Sequence, residues 1–108
     1  MKNVKIVTFV PLKNAAAMRT ALGEAGAGVL GDYMHCSYTL LGEGRFTPQA
    51  GAKPHIGQVG EPSVVEEARI EVVCERSKAK QVVSALRGAH PYEEPAFDII
   101  ALLDEEDL

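Results

Sequence analysis

The sequence predicts an α+β fold of ferredoxin-like order, β-α-β-β-α-β, with one four-stranded antiparallel sheet and two helices on one face. A strand-like run followed by an amphipathic helical pattern occurs twice. The two copies superpose at an offset of 64 residues, so that Met18 aligns with Val82 and Leu22 with Leu86. Each helical pattern is followed by a further strand-like run, and two such units make this fold. The 108 residues suit a single domain, 1–108.

The first unit begins with Val4–Val10, a run rich in strand-forming residues. Apolar residues at helical spacing follow it and place one stripe on a helix: Ala15, Met18, Leu22 and Ala25. Asn14 suits the N-cap of this helix, and Gly26 or Gly28 suits its end. The second strand is expected at roughly Tyr33–Leu41.

The second unit begins with Ala68–Cys74, where apolar and polar residues alternate so that one face packs on the helices. Ser77 is expected to cap the second helix, and Gly88 to end it. The apolar positions of that helix are Ala79, Val82, Val83 and Leu86. Phe97–Leu103 is expected as the last strand, and the acidic residues 104–108 as a frayed tail.

The composition excludes several classes of protein. Fifteen acidic and eleven basic residues give a net charge of −4, which argues against a non-specific nucleic-acid binder. No apolar run is long enough to span a membrane, and the N-terminus lacks the features of a signal peptide. Cys36 and Cys74 lie far apart and form no Cys-x-x-Cys motif, so we expect a cytoplasmic protein with reduced thiols.

The face of the sheet opposite the helices, called the open face below, is expected to carry more apolar side chains than a water-exposed face should. These side chains are Val7, Phe9, Val73, Ile100 and Leu102. We therefore predict that the open face packs against another subunit, which makes the protein a homo-oligomer. The alternative is a set of scattered surface apolar residues.

Residues 42–66 form a long insertion between strands two and three, with five glycines and three prolines. A connection of this length in a compact domain is usually functional or disordered. We expect an arm that extends strand two and then crosses another surface, such as a neighbouring subunit. The alternative is a mobile flap. The insertion contains no phosphate-binding glycine motif.

The densest polar cluster is His90-Pro91-Tyr92-Glu93-Glu94-Pro95, between the second helix and the last strand. Two prolines restrict its backbone, so the side chains are displayed in a fixed way. His90 lies at a helix C-terminus, where the dipole favours its protonated form. His90 with Glu93 or Glu94 could bind a cation or a polar ligand. The alternative is a rigid connector with solvated glutamates.

Other candidate residues carry weaker signals. His35 and Cys36 are adjacent on a predicted strand, so they point to opposite faces and cannot form a nucleophilic dyad. His35 could join a pocket at a subunit boundary. Arg45 could contact an anion, and His55 in the insertion is expected to be exposed.

Several stretches together resemble one known family, the YqfO-type domain, which in many bacteria is the insert domain of the Nif-three-like dinuclear-metal proteins. The resemblance covers roughly residues 3 to 103. The stretches that carry it are Tyr33–Tyr38, Gly42–Pro48, Gly51–Gly57, Glu66–Glu71 and His90–Asp98. In this family an aromatic residue often stands where this chain has His55.

The resemblance implies a fold similar to the CutA and nitrogen-regulatory PII proteins, which are usually trimers. In the long family members the metal ligands lie in the halves that flank this domain. The resemblance therefore implies a stand-alone version of the insert that inherits neither the dinuclear site nor a hydrolase activity such as that of a GTP cyclohydrolase.

The favoured interpretation is a small oligomeric module, expected to be a trimer, without catalytic activity. It would bind a small ligand, a divalent metal ion or a protein partner in clefts between subunits. The residues expected there are His90, Tyr92, Glu93, Glu94, His35 and Arg45, with His90 and Glu94 as metal ligands. The alternatives are a metal-dependent hydrolase and a structural adaptor that docks on a larger protein.

Overall fold

A computed structural model describes residues 2–108 and confirms the predicted ferredoxin-like architecture. The four strands form one antiparallel sheet in the order β2-β3-β1-β4. The elements are β1 (Asn3–Pro11), α1 (Ala15–Glu24), β2 (Tyr38–Phe46), β3 (Ser63–Glu75), α2 (Ala79–Ala89) and β4 (Phe97–Ala101). Within the described residues, no helix is long and apolar enough to cross a membrane.

The internal repeat extends to the turns that start the helices. Three-residue 3-10 turns, Leu12–Asn14 and Arg76–Lys78, precede α1 and α2 at the same 64-residue offset. The expected cap at Ser77 is therefore wrong, because Ser77 lies inside such a turn and its hydroxyl donates to the Glu75 carboxylate at 3.4 Å. Asn14 does occupy the N-cap position, but its side chain makes no capping hydrogen bond.

The two helices end where a glycine or a proline changes the backbone conformation. After α1, Gly26 has φ +109°, and Ala27 donates its N–H to the Leu22 carbonyl at 3.0 Å, which is a Schellman cap. The predicted stop at Gly26 is confirmed. α2 continues one residue past Gly88 and ends before His90, which is extended because Pro91 follows it.

The core lies between the sheet and the two helices. The alternation predicted for β3 is confirmed, since its even-numbered residues from Ala68 to Cys74 are buried against the helices. The largest completely buried core side chains are Ile6, Val10, Met18, Leu22, Ile70, Val82 and Leu86. Burying each of them contributes about 1.5–3 kcal/mol to stability.

Strand β2 begins at Tyr38, five residues later than the sequence predicts. Before it, Leu30 and Tyr33 exchange backbone hydrogen bonds of 2.9 Å around a tight turn in which Gly31 has φ +56°. His35 also adopts a left-handed backbone, with φ +57°. A strand cannot pass through such conformations, so the residues before Tyr38 form a small reverse turn.

Strands β2 and β3 form a hairpin, called the arm below, that reaches beyond the rest of the sheet. Residues 42–46 belong to β2 and 63–66 to β3, which leaves 47–62 as the loop. This loop folds back onto its own chain: Gly60 donates its N–H to the Pro48 carbonyl at 2.7 Å, and the Lys53 N–H reaches Glu93. The surface that the loop covers is therefore part of the same chain.

The open face is more polar than the sequence analysis expects. Val7 is completely buried within the single chain, between Lys5 and Phe9 along β1. Lys5 and Arg69 both pair with Glu71, at 3.2 and 3.0 Å, and so form a charged ladder across this face. The large apolar residues that remain exposed on the open face are Tyr38, Leu40 and Ile100.

The acidic C-terminal segment has a defined conformation. Residues Glu105–Asp107 form a short 3-10 turn, with Asp104 and Asp107 in a reciprocal capping box. The frayed tail expected at 104–108 stays a prediction.

Candidate functional site

A cleft of about 610 Å³ lies between the β2–β3 arm, the loop 47–62 and the segment 92–96. Strand register places Phe9, Gly44, Phe46 and Glu67 on the open face of the sheet, so the cleft opens on the side opposite the helices. Its volume is in the range typical of small-molecule sites. The cleft is formed within one chain.

His90 anchors the segment that forms one wall of the cleft. His90 is buried, with 8% of the residue exposed. Its Nε2–H donates to the Phe9 carbonyl at 2.7 Å, and its Nδ1 accepts the Tyr92 N–H at 3.2 Å. Because both ring nitrogens are engaged, binding a metal at His90 would require one of these hydrogen bonds to break.

The environment of His90 favours the neutral imidazole. Burial lowers the pKa of His90 below its usual value of 6.5, although the Phe9 carbonyl and the Glu67 charge oppose the effect in part. The protonated form expected from the helix dipole is therefore not the one that the folded chain favours. His90 acts as a support for Tyr92, which follows it by two residues.

Tyr92 holds a buried carboxylate that the sequence analysis did not single out. Its hydroxyl donates to Glu67 Oε2 at 2.8 Å, and Glu67 is only 8% exposed. Burial and the hydrogen bond to Glu67 raise the pKa of Tyr92 well above its usual range, so the phenol stays protonated and remains the donor. The carboxylate is thus fixed where it lines the cleft.

Gly44 makes room for this carboxylate. A Cβ at position 44 would overlap the carboxylate of Glu67, so any other residue would displace it. Gly44 and Glu67 lie on the same face of neighbouring strands, two register positions apart, because Gly44 pairs with Val65 and Glu67 with Gly42. The lack of a side chain at Gly44 therefore leaves the space that the Glu67 carboxylate occupies.

Aromatic rings surround Tyr92. The ring centroids of Phe46, His55 and His90 lie 5.9, 6.2 and 5.1 Å from that of Tyr92. His55 thus occupies an aromatic position beside Tyr92 and lines the cleft with it. Further apolar residues complete the walls: Phe9, Pro48, Ala52, Pro54, Ile56 and Ala96.

The charges that line the cleft are mainly negative. They comprise one arginine, Arg45, and four glutamates: Glu43, Glu67, Glu93 and Glu94. Arg45 pairs with Glu43 at 3.4 Å, and both side chains are largely exposed. Glu93 accepts the Lys53 N–H at 2.7 Å, which ties the loop to the opposite wall.

The structure brings together Tyr92, Glu93, Glu94 and Arg45 of the six residues singled out as ligand-binding. His90 lies behind Tyr92. His35 lies elsewhere, because its ring packs over Gly23 in α1.

No group of three or more histidine, cysteine, aspartate or glutamate side chains among residues 2–108 is arranged to hold a metal ion. Of the two residues expected as metal ligands, His90 has both ring nitrogens in hydrogen bonds and Glu94 is exposed.

Sequence reasoning missed Glu67 and Phe46. The sequence predicts an insertion at 42–66 and a strand at Ala68–Cys74, so Glu67 lies between the two predicted segments. Glu67 alternates in step with Arg69 and Glu71, which places it on the open face. This alternation is the only sequence signal that could have marked Glu67 as a site residue. Its hydrogen bond to Tyr92 spans 25 residues, and no local spacing reveals such a contact.

No family model matches the sequence. Curated relatives named GTP cyclohydrolase 1 type 2 homolog do match it. The protein of Mycobacterium tuberculosis strain H37Rv is 52% identical over 99 residues, which are 92% of this chain and 26% of that protein. The Bacillus subtilis strain 168 protein is 47% identical over 95 residues, 88% of this chain and 26% of that protein. The chain thus spans about a quarter of the length of these relatives.

Solved structures show the same relationship. A Bacillus cereus protein related to NIF3 superposes with a TM-score of 0.83 at 42% identity, over 95% of this chain and 26% of that one. CutA1 from Shewanella sp. SIB1 superposes with a TM-score of 0.69 at 18% identity, over 95% of this chain and 83% of that one, a likeness of fold alone. The chain is thus similar, over nearly its whole length, to one segment of the longer NIF3-related proteins, and it shares the fold of CutA.

Proposed function

We propose that the chain is a non-catalytic binding module and that the cleft beside Tyr92 takes a small organic molecule. The observation that carries this proposal is the buried carboxylate of Glu67, held by Tyr92 in the wall of a cleft of about 610 Å³. A concave, mainly apolar site with a few fixed polar groups is the usual form of a small-molecule site. The polar groups fix the orientation of a ligand, and the apolar walls contribute most of its affinity.

The names of the relatives raise GTP as a candidate ligand. The cleft does not favour it, because four glutamates line the cleft with a single arginine, and that arginine already pairs with Glu43. A triphosphate is best held by several arginines, lysines or backbone N–H groups. We therefore expect GTP to bind this chain weakly and to remain intact.

Ligand-observed NMR with four probes tests the proposal: benzylamine, benzyl alcohol, benzoate and GTP. Replacing Ala52 by Trp fills part of the cleft, whereas Ala16→Trp places the same ring on an exposed position of α1. We expect at least one benzyl probe to bind the wild type and Ala16→Trp, and to lose binding in Ala52→Trp. If no probe binds, or if both variants bind equally, the proposal is wrong.

We also propose that the module is a cytoplasmic homo-oligomer, a trimer by its resemblance to CutA and PII proteins. Exposed apolar residues support this assembly, including Tyr38, Leu40 and Ile100 on the open face. Four more lie near the reverse turn before β2: Val29, Leu30, Tyr33 and Met34. Contiguous exposed apolar residues typically mark an interaction surface. Both cysteines are free thiols, which fits a reducing compartment.

A further inference from the structure

We infer that the ligand of the cleft is an organic cation: a primary ammonium or amidinium group on an apolar body, with its N–H groups directed at Glu67. This inference rests on the proposed function and adds the chemical class of the ligand. Three independent features of the cleft support it, namely an unneutralised buried acid, a set of aromatic walls and a negative rim.

The first feature is the state of the Glu67 carboxylate. Tyr92 donates to Oε2. Oε1 accepts no hydrogen bond from residues 2–108, and it is not among their fully buried unpaired atoms, so it is open to the cleft. Over the same residues, no lysine, arginine or histidine forms an ion pair with Glu67. Glu67 as a residue is only 8% exposed, and a carboxylate largely withdrawn from water without a counter-ion is costly to bury. A ligand that supplies both the positive charge and the missing donor removes this cost.

Glu71, another acid on the open face of β3, is an example of a neutralised carboxylate in this chain. Glu71 lies four residues along β3 on the same face, and it receives both Lys5 at 3.2 Å and Arg69 at 3.0 Å. These partners hold the pKa of Glu71 below its usual range. Glu67 lines the cleft and forms no ion pair with a lysine or arginine among residues 2–108. A cationic ligand can therefore bind beside its carboxylate.

The second feature is the aromatic lining. Phe9, Phe46 and Tyr92 all line the cleft, together with the imidazole of His55. Aromatic faces attract cations, and they combine with carboxylates in sites for alkylammonium groups. Arg69 already lies 5.6 Å from the centroid of the Phe9 ring, which shows that this surface accommodates a guanidinium on an aromatic face.

The third feature is the charge at the rim. Glu93 and Glu94 are exposed residues that line the cleft, and the charge of Arg45 is offset by Glu43. A cleft lined by one sign of charge raises the local concentration of ligands of the opposite sign. An anionic ligand would meet repulsion at the rim and at Glu67 alike.

Isothermal titration calorimetry with a charge series tests the inference. Benzylamine is the cation with N–H donors, benzyltrimethylammonium the cation without them, benzyl alcohol the neutral analogue and benzoate the anion. We expect benzylamine to bind about tenfold or more tighter than benzyl alcohol, because it gains a charge-assisted hydrogen bond and a cation–π contact. Benzyltrimethylammonium should fall between them, and benzoate should bind weakest.

Two glutamate variants locate the effect. Glu67→Gln keeps the shape of the side chain and removes its charge, so the preference for benzylamine over benzyl alcohol should disappear. Glu66→Gln is the matched control: Glu66 is the neighbouring residue, is exposed and does not line the cleft, so it should keep the preference. If the preference survives Glu67→Gln unchanged, the assignment to Glu67 is wrong.

The charge series on the wild-type chain needs no variant, so it decides the inference even if Glu67→Gln does not fold. If benzyl alcohol or benzoate binds in the cleft as tightly as benzylamine, the inference is wrong and the proposed binding function stands. If no member of the series binds at millimolar concentration, both the inference and the proposed function fail.

Discussion

Tyr92 and Glu67 share the hydrogen bond that fixes the polar group of the cleft. Because Glu67 is buried and charged, removing its donor leaves an acid without a partner. We predict that Tyr92→Phe lowers the free energy of unfolding by about 1.5–3 kcal/mol, the range for a hydrogen bond to a charged group. Urea denaturation measures this change. Tyr38→Phe is the control, since Tyr38 is exposed and its loss should be nearly neutral. Equal effects of the two changes would contradict the role of Tyr92.

His90 should make the stability of the chain depend on pH. Its pKa is lowered in the folded chain by burial, so between the folded value and the usual 6.5 the unfolded chain binds more protons. The free energy of unfolding therefore rises with pH in this window. The stabilisation by neutral His90 is present in full above about pH 7.5 and is lost as the pH falls through 6.5 and then through the folded pKa.

The measurement is an NMR titration of the His90 ring, followed by urea denaturation of the wild type and His90→Gln at about pH 5.5 and 7.5. We expect a titration midpoint below 6.5 and a smaller pH dependence in the variant. A His90 midpoint at or above 6.5 would show that the ring is not held in its neutral form.

Single residues could be predicted from the sequence only where local chemistry marks them. The prolines around Tyr92 and Glu93 indicated a displayed segment, and both residues line the cleft. Glu67 is distant from them in the chain, and only tertiary packing makes the contact. His35 was assigned to a strand, whereas its left-handed backbone turns the ring onto Gly23.

Among the secondary-structure elements, α1 ends at a glycine whose backbone conformation other residues rarely adopt. Gly26 has φ +109° and closes the Schellman cap, whereas Gly88 lies exposed within α2. We predict that Gly26→Ala destabilises the chain by about 1–2 kcal/mol, because an L-residue is strained there. Gly88→Ala should stabilise it by about 0.5–1 kcal/mol, since alanine favours the helix. Chemical denaturation measures the free energy of unfolding of both variants. Changes of the same sign in the two variants would contradict these roles of Gly26 and Gly88.

The elements were largely predictable because their signals are local. The 64-residue repeat and the apolar stripes predicted both helices and the order of all four strands. The start of β2 was misplaced, because Tyr33–Ser37 has the composition of a strand although Gly31 and His35 hold left-handed conformations. The N-cap predicted at Ser77 is wrong because a 3-10 turn lies between β3 and α2. No residue type reliably indicates such a turn.

In the molecule as a whole, the sheet has one face covered by helices and one face whose exposed apolar residues have no partner among residues 2–108. We predict that native mass spectrometry shows an oligomer, a trimer by the resemblance to CutA and PII proteins. Leu40→Lys, on the open face, should shift it toward the monomer, because a charge in an apolar interface is costly to bury. Leu41→Lys is the control, since Leu41 is the next residue, exposed on the opposite face. A monomeric wild type would contradict the proposed assembly.

A ¹H–¹⁵N correlation spectrum of the chain during titration with benzylamine tests directly where the ligand binds. We expect saturable shifts in the amides of 43–56, of Glu67 and of 92–96, which surround the cleft, and unchanged amides in α1. Shifts that do not saturate, or that cluster away from these residues, would contradict the claim that the cleft beside Tyr92 is the binding site.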